Sequence, residues 1–203
     1  MLTVGKDAAG VEGLLSSGRL ACPGCGGVLR GWGHARLRAV RGEGGDGWRL
    51  RPRRARCAGC GRTHVLLPVS VLARRADVVV VIGAALAGAA AGLGYRRIAE
   101  RLGRPAATVR GWLRRFASRA GVLRSAFTRL ACALDPDPLL PGPAGSQVAD
   151  AVAAIAAAGA AAARRWGRDV LALSAWELAA VVSSGRLLAP GIAQMVINTS
   201  CPW

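Results

Sequence analysis

Apolar positions recur at helical spacing through the middle of the chain. In Tyr95 to Phe116, YRRIAERLGRPAATVRGWLRRF, Ile98, Ala99 and Leu102 share one helical face, and Val109, Trp112 and Leu113 repeat the spacing further on. Gly103 follows the first set, where a helix end calls for a residue that can turn left-handed. Arg104 and Pro105 come next, and proline suits the first turn of a new helix. The pattern predicts two short helices joined by a tight turn. The small Ala99 lies where two such helices cross closely, an arrangement that matches a helix-turn-helix. The polar face of the pair carries Arg96, Arg97, Thr108, Arg110, Arg114 and Arg115, and Arg104 stands in the turn. These are groups suited to phosphates and base edges. Gly111 inside the second helix costs about 1 kcal/mol against alanine.

Other stretches read more simply. Residues 7–18, DAAGVEGLLSSG, predict a short helix capped by Asp7, ended by Gly18 and apolar at Val11, Leu14 and Leu15. Val28 to Val40, the glycine-rich GEGGDG at 42–47 and Trp48 to Arg56 predict a long β-hairpin, with THVLLP at 63–68 as a closing strand. Val78 to Leu93 is a run of sixteen apolar or small residues between arginines. It falls short of the ~20 residues a membrane span needs and is rich in Ala and Gly, so it is expected as the first helix of a three-helix domain rather than an anchor. Residues 117–134 carry the last of these helices onward. DPDPLLPGPAG marks a linker. Residues 147–165 are alanine-rich and helical, and Ser174 with Glu177 forms a capping box for a helix over 175–184. Trp166 and Trp176 are expected to pack these two helices together.

Charge changes the picture. Of 28 Lys and Arg, 24 precede residue 131, against six of the 11 acids, so that part carries a surplus of 18 positive charges and the remainder −1. So lopsided a field calls for an anionic partner, and nucleic acid is the commonest. The hairpin is strongly cationic, with Arg51, Arg53 and Arg54 the arginines expected to track a nucleic-acid backbone.

Cysteine spacing adds chemistry. CPGCG at 22–26 and CAGCG at 57–61 are two Cys-x-x-Cys-Gly knuckles. Two thiolates at this spacing grip one tetrahedral cation while the following glycine permits the turn. Cys22, Cys25, Cys57 and Cys60 therefore complete a four-sulfur site suited to one structural zinc ion. A disulfide framework or redox pair fits less well, because no secretory signal and no thioredoxin-like βαβ pattern is present. His34 and His64 are expected beside the site or facing phosphate rather than as ligands, and Cys132 and Cys201 as buried thiols. The predicted fold is mainly α with a small β zinc ribbon. An N-terminal helix and zinc ribbon span 1–72, a three-helix homeodomain-like helix-turn-helix spans 73–134, a linker covers 135–147, and an alanine-rich helical segment fills 148–203.

CPGCG, then CAGCGRTHVLLP, then an alanine-rich helix, then YRRIAERLGRPAATVRGWLRRF resembles a family of zinc-ribbon and helix-turn-helix proteins of high-GC bacteria, often found beside insertion-sequence transposases. The same order looks like the N-terminal DNA-binding half of several such transposases. The resemblance covers roughly residues 8–120 and implies DNA binding and association with mobile elements, but supplies no catalytic residue. A complete transposase places three carboxylates on an α/β domain to hold two metal ions. Here only Asp135, Asp137, Asp150, Asp169 and Glu177 follow, on a short alanine-rich segment. The expectation is a cytoplasmic, nucleoid-associated protein that is not an enzyme. Its partner is double-stranded DNA, with a transposase or a second copy as further partners and no small-molecule substrate. A truncated transposase remnant and a membrane-associated interaction protein are the alternatives.

Overall fold

The computed structural model describes residues 1–167 and 172–189. In chain order these hold β1 (Leu2–Val4), α1 (Ala8–Ser16), β2 (Leu29–His34), β3 (Arg38–Arg41), β4 (Gly47–Leu50), β5 (Arg53–Cys57) and β6 (Thr63–Pro68). Six helices follow: α2 (Val79–Ala90), α3 (Tyr95–Leu102), α4 (Ala106–Ala117), α5 (Ala120–Leu134), α6 (Gln147–Trp166) and α7 (Ala175–Val182). The protein is thus mainly helical with a small mixed sheet.

The sheet runs β1-β6-β5-β2, antiparallel except where β1 lies parallel to β6 with Leu2 opposite Leu66. Helix α1 begins at Asp7, whose carboxylate accepts from the amides of Ala9 (3.1 Å) and Gly10 (2.7 Å) and so satisfies two orphan donors. Its buried Val11 and Leu15 meet Val4, Leu29, Ala55 and Leu66 in a small core of their own. The expected hairpin is present but jointed. β2 pairs with β5, and β3 with β4 as a separate ribbon, because the chain breaks at Ala35–Leu37 on one arm and at Arg51–Pro52 on the other. Pro52 has no amide hydrogen to continue a ladder. Its carbonyl instead accepts from Ala35 at 2.7 Å, stitching the joint.

Helix α2 is buried nearly all round, at Val79, Val81, Ile82, Gly83, Ala85 and Leu86, and is the central rod of the helical part. Its glycines admit close neighbours. A Cβ at Gly83 would sit 2.3 Å from the Trp176 ring, and one at Gly88 would sit 3.3 Å from Ile98. Among the described residues no helix is long and apolar enough to cross a membrane. Helix α3 ends at Gly103, which adopts φ 59°, ψ 40° and lets the Arg104 amide donate to Ala99 at 2.9 Å. Val109, Trp112 and Phe116 of α4 are buried with Ile98 and Ala99 of α3.

Two expectations are corrected here. α4 does not run on to residue 134. It stops at Ala117, where the Ser118 hydroxyl donates back to the Arg115 carbonyl (3.1 Å) and Arg119 leaves helical geometry to donate to the Arg186 carbonyl (3.1 Å). Cys132, expected to be buried, is exposed on α5, while Cys201 lies outside the described residues.

Helix α6 presents Ala151, Ala154, Ile155, Ala158 and Ala161 to α5 and α2, and these small side chains allow close approach over its length. Gly159 lies against Ala175 of α7, whereas Trp176 reaches past to α2. The capping box of α7 forms as the sequence predicts. One hydrophobic cluster runs from Val40 and Leu67 through α2–α5 to Leu187 and Leu188. Apolar packing therefore continues across the expected boundaries near 72 and 135–147.

Candidate metal centre and nucleic-acid interface

The two knuckles repeat each other's backbone. Cys22 donates its amide to Gly27 (2.7 Å) as Cys57 does to Arg62 (2.9 Å), and Gly26 donates to Cys22 (2.8 Å) as Gly61 does to Cys57 (3.1 Å). Gly26 (φ 72°) and Gly61 (φ 71°) both require the left-handed region that other residues avoid. Gly27 is needed for space, since a Cβ there would lie 3.0 Å from the Cys57 sulfur. The turns bring Sγ atoms from the two knuckles together, Cys22 to Cys60 at 3.8 Å and Cys25 to Cys57 at 3.5 Å, and all four lie within 4.8 Å of one another. Such spacings are too long for a disulfide, about 2.05 Å. They match the roughly 3.8 Å edges of a tetrahedron whose metal–sulfur bonds are ~2.3 Å.

Electrostatics favours the same occupant. Backbone hydrogen bonds, from Cys60 above all, hold the Cys57 thiol down at about 6, and the Gly24 amide leads a lowering at Cys22. The Gly27 amide also favours a Cys25 thiolate, but the crowded thiols of Cys57 and Cys60 outweigh it and push Cys25 up to about 11. Four sulfurs this close cannot all ionise by themselves, and a divalent cation removes the conflict. Cys22, Cys25, Cys57 and Cys60 can therefore hold a metal ion, and four thiolates leave no open position for chemistry upon it. His64 is buried beside the cluster, its Nε2 3.4 Å from the Cys22 sulfur and its Nδ1 3.3 Å from the Met1 amine. His34 is exposed on β2, away from it.

The expected nucleic-acid contacts divide three ways. Arg96, Arg97, Arg110, Arg114 and Arg115 are exposed on α3 and α4, as is Arg51 on the hairpin, while Thr108 and Arg54 are half-buried. Arg53 is partly spent within the fold, donating to Glu12 at 2.5 Å and to the Gly33 carbonyl at 2.7 Å. Arg104 is a correction. Its side chain is only 6% exposed and points inward, donating to Asp77 (2.6 Å) and to the carbonyls of Gly42 (2.5 Å), Leu102 (3.2 Å) and Gly103 (3.3 Å). The left-handed turn at Gly103 aims it at the hairpin tip instead of solvent. Asp77, 1% exposed, also receives Arg41 at 2.8 Å, so one carboxylate joins hairpin, α2 and the α3–α4 turn.

Arg75 and Arg38 are not among the expected contacts. Burial, with the nearby Arg115 charge, lowers the Arg75 pKa, and its Nε is buried with no hydrogen-bond partner among the described residues. Arg38 on β3 has two such nitrogens, and burial lowers its pKa too. The only signal in the sequence was arginine density, which does not say which guanidiniums lack partners.

The model of a domain of unknown function (DUF6431) matches residues 22–98, from the first knuckle cysteine to Ile98 of α3. No curated protein and no solved structure matches the chain.

Proposed function

We propose that the protein is a sequence-specific DNA-binding protein with one structural zinc, acting as a transposition accessory factor or transcriptional regulator. The observation that carries the reading is the α3–Gly103–α4 pair. It buries Ile98, Ala99, Val109, Trp112 and Phe116 on one side and leaves Arg96, Arg97, Arg110, Arg114 and Arg115 on the other. In this reading the pair is a helix-turn-helix, α4 enters a major groove, and the hairpin follows the backbone nearby. In this reading the protein does no chemistry on the DNA. The carboxylates after α4 that lie in or beside helices are engaged in packing, Asp135 with Arg164 (2.5 Å), Asp150 with Arg124 (3.2 Å) and Glu177 with Lys6 (2.7 Å).

Selection of bound sequences from random duplex DNA, with zinc content measured on the same sample, tests the reading directly. A consensus is expected, and a palindromic one would indicate that two copies bind. Each phosphate contact contributes to a steep loss of affinity with salt. An Arg114→Ala, Arg115→Ala double variant should therefore show a shallower salt slope than wild type. Equal slopes would remove α4 as the docking surface. A truncated transposase remnant shares the same DNA-binding half, and a broken downstream reading frame encoding catalytic acids would favour it.

A further inference from the structure

We propose that the hairpin carries a second nucleic-acid site, a stacking platform for single-stranded DNA centred on Trp32. The local sequence is Arg30-Gly31-Trp32-Gly33-His34, and the β2–β5 register slips between Gly31 and His34. A bulge of this kind re-aims one side chain away from the ladder. Gly33 takes φ 77°, which other residues rarely adopt, and Gly31 leaves room for the Arg53 guanidinium, to which a Cβ there would come within 2.4 Å. The result is a tryptophan 52% exposed on a strand whose inward residue, Leu29, is fully buried.

Trp32 is held ready rather than loose. The Arg56 guanidinium lies 4.9 Å from the ring centroid and also donates to the Gly61 carbonyl at 3.3 Å, which ties the ring to the second knuckle. Arg53 fixes the strand beyond it through the Gly33 carbonyl, at 2.7 Å. A second indole, Trp48, is 43% exposed on β4 towards the tip. From residue 28 to 57 nine arginines face two acids, Glu43 and Asp46. Exposed aromatic rings on a cationic ribbon are what a flexible polyanion with unpaired bases recognises. The bases stack and the phosphates meet guanidinium, whereas a duplex keeps its base faces hidden. The charge ratio disfavours a protein partner unless that partner is strongly acidic.

The platform rests on Trp32, which the duplex reading does not use, so the two readings can fail independently. Full-length, zinc-loaded protein is titrated with oligothymidylate, oligouridylate and a duplex of equal length, following tryptophan fluorescence and anisotropy. Oligothymidylate should quench the fluorescence and bind. Trp32→Ala should weaken that binding about tenfold, the loss of one stacked base, with duplex affinity unchanged. Trp32→Phe should restore most of it. The Arg114→Ala, Arg115→Ala variant should lose duplex affinity and keep oligothymidylate, and if it loses neither, α4 fails and the platform stands. Circular dichroism matching wild type checks that each variant is folded. Unchanged oligothymidylate binding by Trp32→Ala, an equal loss on duplex, or no single-strand binding at all would overturn the platform. Tighter binding of oligouridylate would overturn the assignment to DNA.

Discussion

The ribbon and the helical body are held together by different means. The ribbon's own core is Val4, Val11, Leu15, Leu29, Ala55 and Leu66 around Cys22 and Cys57, and most of its hairpin residues are exposed. The helical body buries Ile82, Leu86, Phe116, Leu123, Phe127, Leu130 and Ile155 in one continuous cluster. Each large apolar side chain fully buried contributes about 1.5–3 kcal/mol. The body therefore has packing in reserve, while the ribbon resembles other small cores that need a staple. The candidate sites follow the same division: the body supports the α3–α4 pair, and the ribbon holds two turns and a cationic arm beside four sulfurs that could hold a metal ion.

The sharpest way to break this comparison is to strip the zinc proposed for the four-sulfur site. In small zinc peptides the apparent binding energy is about 10–16 kcal/mol, larger than any other single contribution expected here. Chelation, or Cys57→Ser, should abolish hydrogen-exchange protection in β2, β5 and β6 and leave α5 and α6 protected. Simultaneous loss of both sets would show one cooperative unit and end the distinction. Zinc affinity should also fall as acid protonates the sulfurs, because only the thiolate is a ligand.

Next in size is the joint between the two regions. Asp77 is 1% exposed and holds Arg41 of the ribbon and Arg104 of the α3–α4 turn. Asp77→Ala leaves the Arg104 guanidinium buried without its counter-charge, and such losses run to about 3–5 kcal/mol. Urea denaturation should report the drop, and a change below ~1 kcal/mol would mean that Arg104 escapes to water. A smaller effect lies wholly within the body. Gly→Ala inside a helix ordinarily stabilises by about 0.5–1 kcal/mol. At Gly83 the added Cβ would stand 2.3 Å from the base of the Trp176 ring, so the ring or its helix would have to shift. Overpacking of this kind costs about 1–3 kcal/mol, so thermal melting of Gly83→Ala should show a net loss. A raised midpoint would show that α7 shifts freely on α2.

Local signals in the sequence were legible, and long-range ones were not. The two knuckles, the Asp7 cap, the Gly103 turn and the Ser174–Glu177 box each lie within six residues, where backbone geometry and one hydrogen bond decide the outcome. β1 was missed because three residues, Leu2 to Val4, carry no periodicity, and their pairing with Leu66 to Pro68 is set across the whole ribbon. Arg104 read as a phosphate ligand because its charge is visible in sequence, whereas the buried Asp77 and Gly42 carbonyl that claim it come from two other elements. The alanine pattern of α6 announced a helix but not its partner. Only the assembled cluster shows it lying along α5 as part of the same core.

A second link between the regions should give the smallest effect, and one with a pH signature. Glu177 of α7 is 5% exposed and accepts from Lys6 at 2.7 Å and from the Ser174 amide and hydroxyl at 2.9 Å each. Burial alone would raise its pKa, but the Lys6 pair and the Ser174 bonds outweigh burial and hold it below the ordinary carboxylate value. Its folded value therefore lies below its unfolded one. The stability it contributes is complete above the unfolded value, about 4.3, and is lost as pH falls through the folded value. Glu177→Gln removes that dependence. Lys6 is 53% exposed, so the difference at neutral pH should stay within about 1 kcal/mol. Asp135, held low chiefly by Arg164, adds its own acid sensitivity, but equally in both proteins, so it cancels in the difference. Melting of wild type and Glu177→Gln from neutral to acid should thus converge as the pH falls below the ordinary carboxylate range. A constant gap at every pH would mean that Lys6 and Ser174 do not discriminate between the charged and neutral carboxyl, leaving Asp77, among the described residues, as the carboxylate that couples ribbon to body through charge.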